Sequence, residues 1–155
     1  MSGKIENKLK ELGIKLPDAT NPVANYQPYV MSGNLIFLSG QVTIWNGEMK
    51  YKGKIGRDLT VDQGYEAARM CGLNLIAQVR SACNGDLDKV KRVVKLGAFV
   101  NSVEDFKEHP NVVNGASDLM AEVFGDAGRC TRTNAGVPSL PLGFAVEIDG
   151  VFEIV

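Results

Sequence analysis

The C-terminal stretch FAVEIDGVFEIV, from Phe144, sets the tightest limit on what this chain can fold into. Side chains of an extended segment alternate with a period of two. Phe144, Val146, Ile148, Phe152 and Ile154 therefore share one face. Ala145, Glu147, Asp149, Val151 and Glu153 share the other. The first face demands a core, while the second is half polar. Such a strand belongs in a sheet that helices cover on one side, with a second face left for water or a partner. Just upstream, TRTNAGVPSLPLGFAVEID holds one arginine, Arg132, and one glutamate, Glu147, inside two strand-like runs at about 131–137 and 144–155. Lone charges in a segment otherwise suited to a core mark either a working site or a structural ion pair. Residue type alone leaves both open.

The rest of the chain supplies the covering layer. With 155 residues and 45% hydrophobic content, it suits one compact domain, 1–155, with a real core. Ile5, Leu9 and Leu12 fall on one helical face, and Gly13 follows as a stop. The turn formers that follow read as an extended lead-in, so 1–27 is a helix plus lead-in. Two β-like runs flank Ser32-Gly33-Asn34, a hairpin signal, and WNGEMKYKGKIGRD reads as a loop or weak hairpin. Thr60 and Gln63 form a capping-box pattern. The helix it opens has a stripe of Tyr65, Ala68, Gly72, Leu75, Ile76, Val79 and Cys83. A β-branched strand spans Val90 to Val100. A second helical region opens at Ser102–Asp105, and Val112, Ala116, Leu119, Met120, Val123 and Phe124 recur at helical spacing within it. The order α-β-β-α-β-α-β-β predicts an α+β fold with the two main helices on one face of a sheet.

Several functions lose support at this level. The net charge is −1, without the basic excess of a nucleic-acid binder. KVKRVVK, Lys89 to Lys95, interleaves its cations with valines and reads as a solvated strand face. No apolar run approaches the about 20 residues of a membrane span, and MSGKIENKLKELG lacks a secretory apolar core. Three cysteines without CxxC spacing fit a reducing cytoplasm better than a disulfide framework. The single histidine, His109, precedes Pro110 at a helix start and reads as a surface or capping residue. With no Cys/His cluster beside it, zinc has no support. No glycine-rich phosphate loop is present.

PYV at 28–30, GNLIFLSGQV at 33–42, GYEAARMCGLNLIAQV at 64–79, DLDKVKRVVKLGAFVNSVEDF at 86–106, VFGDAG at 123–128 and RTNAGVPSLPLGFAVEI from Arg132 lie in one characteristic order. Through them the chain resembles the Rid family, also called YjgF-type or L-PSP endoribonuclease. The extra N-terminal helix and the longer HPNVVNGASDLM segment resemble the family's longer branch. The resemblance implies a chorismate-mutase-like fold and a barrel-like homotrimer with clefts between subunits. It implies hydrolysis of enamine or imine intermediates to a 2-keto acid and ammonia, with no metal or organic cofactor. Two other readings attach to the family or its residues. One is the ribonuclease or translation inhibitor of its older name. The other is a non-enzymatic trimer that binds a small carboxylate.

Residue by residue, Arg132 matches the family's substrate-binding arginine. A 2-imino acid carries a planar carboxylate, which a guanidinium grips with two parallel hydrogen bonds. Glu147 matches the glutamate of the VEI motif, where a carboxylate can orient or deprotonate water. Tyr29 matches the tyrosine that closes the cleft, and Ser39 a cleft-side serine, with Gly40 allowing close backbone approach. Asn134 stands where the short type often has cysteine, and two residues from Arg132 on a strand it should point the same way. Asn114 matches a family asparagine near the cleft. The residues 137–143 are expected to turn the Arg132 strand onto the Glu147 strand. Cys130 reads as a small buried hydrophobe.

Overall fold

The computed structural model describes residues 3–22 and 24–155. In chain order these form α1 (Lys4–Glu11), β1 (Tyr29–Ser32), β2 (Leu35–Gln41), β3 (Ile44–Trp45), β4 (Glu48–Met49), α2 (Val61–Ala82), β5 (Val90–Asn101), α3 (His109–Phe124), β6 (Thr131–Val137) and β7 (Val146–Ile154). Five strands make one sheet in the order β1-β2-β7-β5-β6, and β3 and β4 pair separately. β6 runs parallel to β5, to which α3 connects it, while the other neighbours are antiparallel. The α+β expectation holds. No helix among the described residues is long and apolar enough to cross a membrane.

The terminal strand behaves as its alternation predicts. Val146, Ile148 and Phe152 are fully buried beneath the helices, in one core with Ile36, Val93, Leu96 and Val100. The opposite face is bare. Val30, Phe37 and Phe99 are 54%, 46% and 44% exposed. Val30 pairs with Phe37, Phe37 with Val151, and Phe99 with Glu147, so they share this open face.

The helical layer depends on small residues. The capping box closes reciprocally: Gln63 N donates to Thr60 Oγ1 at 3.1 Å and Thr60 N to Gln63 Oε1 at 2.9 Å. α2 and α3 pack so closely that a Cβ on Gly115 would lie 2.9 Å from the Tyr65 carbonyl carbon. Tyr65, expected in the buried stripe, is half-exposed and reaches across to donate its hydroxyl to Asp118 at 2.7 Å.

Two expectations change and one is made definite. The second helix begins at His109, not at Ser102–Asp105. Ser102 N donates to Val137 O and Val103 N to Ile55 O, which holds that stretch in sheet-like pairing. Pro110 then supplies a first-turn residue with no N–H to satisfy. The weak hairpin at WNGE is β3–β4, turned by Asn46 (φ 48°) and Gly47 (φ 86°), the pair a two-residue turn with positive φ at both centres requires. Finally, β6 and β7 are not neighbours, because β5 lies between them. Residues 137–143 carry the chain across β5 rather than folding one strand onto the next.

Candidate functional site

The strand order separates the two charges that the sequence placed together. Arg132 pairs in parallel register with Leu96, whose side chain lies in the core under the helices. Arg132 accordingly projects to the helix side, at the outer edge of the sheet. Its Nη1 donates to Asn114 Oδ1 at 2.8 Å and to Ser117 Oγ at 3.0 Å. Asn114 and Ser117 are three apart on α3, so they present on one face of that helix. Among the described residues no carboxylate lies within ion-pair distance of Arg132. A structural ion pair with Glu147 within one chain is thus ruled out.

Asn134 pairs with buried Ala98 and shares the helix side with Arg132, as expected from its spacing. Its amide makes no hydrogen bond among the described residues. The edge of the sheet therefore offers Arg132, Asn114, Ser117 and Asn134 as one group. Ser117 was not anticipated. The signal was present, as a polar residue at i+3 from Asn114 between the buried Ala116 and Leu119.

Glu147 belongs to a second group. It pairs with Phe99 on the open face, two strands from Ala135 of β6, or about 10 Å away, and on the other side of the sheet from Arg132. Its neighbour is Gly40: a Cβ there would sit 2.6 Å from Glu147 Oε2. Gly40 lies in the irregular stretch between Leu38 and Gln41 where β2 shifts register on β7. The close approach anticipated for this glycine is thus an approach to Glu147. Burial pushes the Glu147 carboxyl above the usual glutamate range, and the Asp149 carboxylate adds to the push. The carboxylate accepts no hydrogen bond among the described residues, so its lone pairs are free for a water.

Ser39 adjoins Gly40, but its hydroxyl is already engaged, donating to Gln27 O at 2.6 Å. Ser39 and Gly40 line a small cavity of about 90 Å³ with Thr20, Tyr26, Pro28 and Asn74. Tyr29 opens β1 and pairs with Leu38, half-buried against the core. Cys130 is half-buried, and burial raises its thiol. No reactive thiolate is indicated there.

Comparison with known proteins adds to this geometry. The family model described as "YjgF/chorismate mutase-like, putative endoribonuclease" matches residues 6–150. The chain is 47% identical to Protein TCP17 of Trypanosoma cruzi over 154 residues, 99% of this chain and 96% of that one. It is 29% identical to a 2-iminobutanoate/2-iminopropanoate deaminase of Dermatophagoides farinae, over 91% of this chain and 94% of that one. A crystal structure of an endoribonuclease-named protein from Shewanella oneidensis superposes with a TM-score of 0.94. It is 36% identical and covers 98% of this chain and 100% of its own.

Proposed function

The chain belongs to the YjgF/chorismate mutase-like family, and from that footing we propose that it hydrolyses 2-imino acids, or their enamine tautomers, to 2-keto acids and ammonia. The observation that carries the reading is Arg132. It is a guanidinium oriented by two neutral acceptors, Asn114 Oδ1 and Ser117 Oγ, with no acid at ion-pair distance among the described residues. Holding Nη1 leaves the remaining N–H groups free for a planar carboxylate.

Chemistry needs Glu147 as well, and one chain keeps the two on opposite sides of its sheet. We take the working site to lie between copies, with Arg132, Asn114 and Asn134 from one subunit and Glu147, Gly40, Ser39 and Tyr29 from the next. The bare apolar face and the unpaired β6 edge are surfaces that such a contact would cover. In this site the substrate carboxylate lies on Arg132. Glu147, made more basic by burial, takes a proton from water as its oxygen adds to the C=N carbon. The nitrogen gains a proton, and the carbinolamine so formed collapses, expelling ammonia and leaving the keto group. Water is the only co-reactant.

The test couples the chain to a serine or threonine dehydratase and follows decay of the imine. Faster decay with the chain, lost in Arg132→Ala, is the expected result. Unchanged decay refutes the deaminase reading. A keto acid that binds at Arg132 without any imine turnover would instead identify a carboxylate-binding protein. Light scattering gives the number of copies; a monomer would rule out the shared site. RNA cleavage has no histidine pair to serve it, since the chain has one histidine, and its net charge is −1.

A further inference from the structure

We propose that a cavity at the C-terminal ends of β5 and β6, distinct from the Arg132 group, binds a small organic carboxylate with an apolar or aromatic body. The cavity encloses about 680 Å³. Its polar lining includes Lys54, Ser102 and His109, and its apolar walls include Val103, Phe106 and Val137. None of Arg132, Asn114, Ser117 or Glu147 lines it.

Three features point to a ligand. First, Ser102 is only 7% exposed, yet its hydroxyl has no hydrogen-bond partner among the described residues. That hydroxyl faces the cavity, where it is free to bond to a ligand oxygen. Second, that hydroxyl and the His109 imidazole converge on one point. An ideal Cβ on Gly136 would stand 3.0 Å from Ser102 Oγ, and His109 Nε2 would be nearer still. The two polar groups therefore crowd together over the Gly136 backbone at the cavity wall, where one ligand oxygen approaching from the cavity can reach both. Third, the local field favours an anion. Lys54 Nζ is held by Asn101 Oδ1 at 3.1 Å and by the Pro138 carbonyl, with no carboxylate at ion-pair distance among the described residues. α3 starts here with no acid in its first turn, and the acid at its N-cap, Glu108, makes no capping bond and instead accepts from Asn111, so the helix N–H groups are left uncapped. Arg57, also on the lining, is engaged with Asp58 at 2.9 Å, and Glu104 is the one acid on the lining. One ammonium, one hydroxyl and one imidazole suit a singly charged carboxylate. Phe106, edge-on to His109 with ring centroids 5.0 Å apart, offers a surface for its apolar part.

The chain's single histidine makes the test direct, because the His109 ring gives one resolved NMR signal. Phenylacetate, which carries no keto or imine group, is titrated into the full chain. The expected result is a saturable shift of that signal with a Kd in the millimolar range or below. The shift persists in Arg132→Ala, weakens about tenfold or more in Ser102→Ala, and weakens likewise in Gly136→Ala, whose methyl would push His109 and Ser102 apart. Ser102→Ala removes a hydroxyl that bonds to nothing, so it should fold, as its amide spectrum would verify. No saturable shift in the parent chain would overturn the proposal. So would a shift lost in Arg132→Ala but kept in Ser102→Ala, which would place the ligand on Arg132. Inorganic phosphate shifting the signal as strongly as phenylacetate would overturn the assignment to a carboxylate with an apolar body. Because the readout is binding and not turnover, absence of imine hydrolysis leaves this inference standing, and the reverse also holds.

Discussion

Gly40→Ala tests the placement of Glu147 without touching its chemistry. The added Cβ would lie 2.6 Å from Glu147 Oε2 and 3.0 Å from both Cδ and Cγ. Favourable carbon–carbon contacts begin near 3.5 Å, so the carboxylate must retreat by about 0.5–1 Å. Gly40 has no positive φ, and its backbone accepts alanine without strain. The displaced side chain is on the open face, so the cost to the fold is that of an off-rotamer torsion, about 0.5–1.5 kcal/mol. For a chain of this size that lowers Tm by about 1–6 °C. Catalysis should suffer far more. Misplacing a reacting group by about 1 Å costs about 100-fold in rate. In the imine-decay assay, kcat should fall by about 10- to 100-fold while carboxylate binding at Arg132 persists. Gly97→Ala is the matched control, since its Cβ would press on Asp149 Oδ1 at the same 2.6 Å, on the same face. If Gly40→Ala turns over imine at the parent rate, or if both variants lose activity equally, Glu147 is not the positioned base.

Further outcomes follow from other contacts. Glu147 has its folded-state pKa raised, so the native state holds that proton more tightly than the unfolded chain. Its contribution to stability is fully present below the unfolded carboxylate pKa and is lost as pH rises through the folded one. Glu147→Gln should therefore melt above the parent near neutral pH, with the gap closing in acid; a gap that widens in acid would reverse the sign. Asn114→Ala removes the 2.8 Å acceptor that orients Arg132 and should raise KM for imine more than it lowers kcat. An unchanged KM would mean that Asn114 does not position the guanidinium. Asp88 accepts hydrogen bonds from Lys4 N and Ile5 N, both 2.9 Å, and these hold its carboxyl below the usual range. That support is present above the ordinary aspartate pKa and is lost as pH falls through the lowered one. Asp88→Ala should thus free α1 at neutral pH, and acid should do the same to the parent, as hydrogen exchange of α1 amides would show. Gly115→Ala forces a methyl against Tyr65 and Arg69 backbone and should cost about 1–3 kcal/mol in urea unfolding. A neutral result would mean that α2 and α3 can separate freely.

Local patterns in the sequence were faithful where one element alone decides the outcome. The capping box at Thr60, the stop at Gly13 and the alternation of β7 depend on nearest neighbours and are legible for that reason. Cys71 escaped the predicted stripe although it is fully buried, with its Sγ 3.5 Å from Val146 O. α2 buries a face wider than one stripe because it packs on both the sheet and α3. Ser102–Asp105 looked like a helix start because Ser and Asp at that spacing can cap one. In the fold, Ser102 N is committed to Val137 O, a contact 35 residues along the chain that local pattern cannot register.

The same limit governs the site, with greater consequence. Arg132 and Glu147 lie 15 residues apart across a Pro-rich connection, and a hairpin is the simplest way to read that spacing. The sheet instead inserts β5 between their strands, since β5-α3-β6 closes as a parallel unit before β7 returns to pair between β2 and β5. Parallel register then aligns Arg132 with Leu96 on the helix side, and antiparallel register aligns Glu147 with Phe99 on the open side. Each charge sits at a boundary, Arg132 at the sheet edge and Glu147 half-buried on the bare face, which limits the cost of burial without removing it for Glu147. Those boundaries are also the two surfaces a neighbouring copy would cover. On the proposed function, assembly brings an unmatched guanidinium and a carboxylate of raised pKa to the same substrate. A single substitution at the open face that prevents association, such as Phe37→Asp, should then abolish imine hydrolysis while leaving Arg132, Asn114 and Ser117 in place. Full activity in a chain shown to be monomeric would refute the shared site.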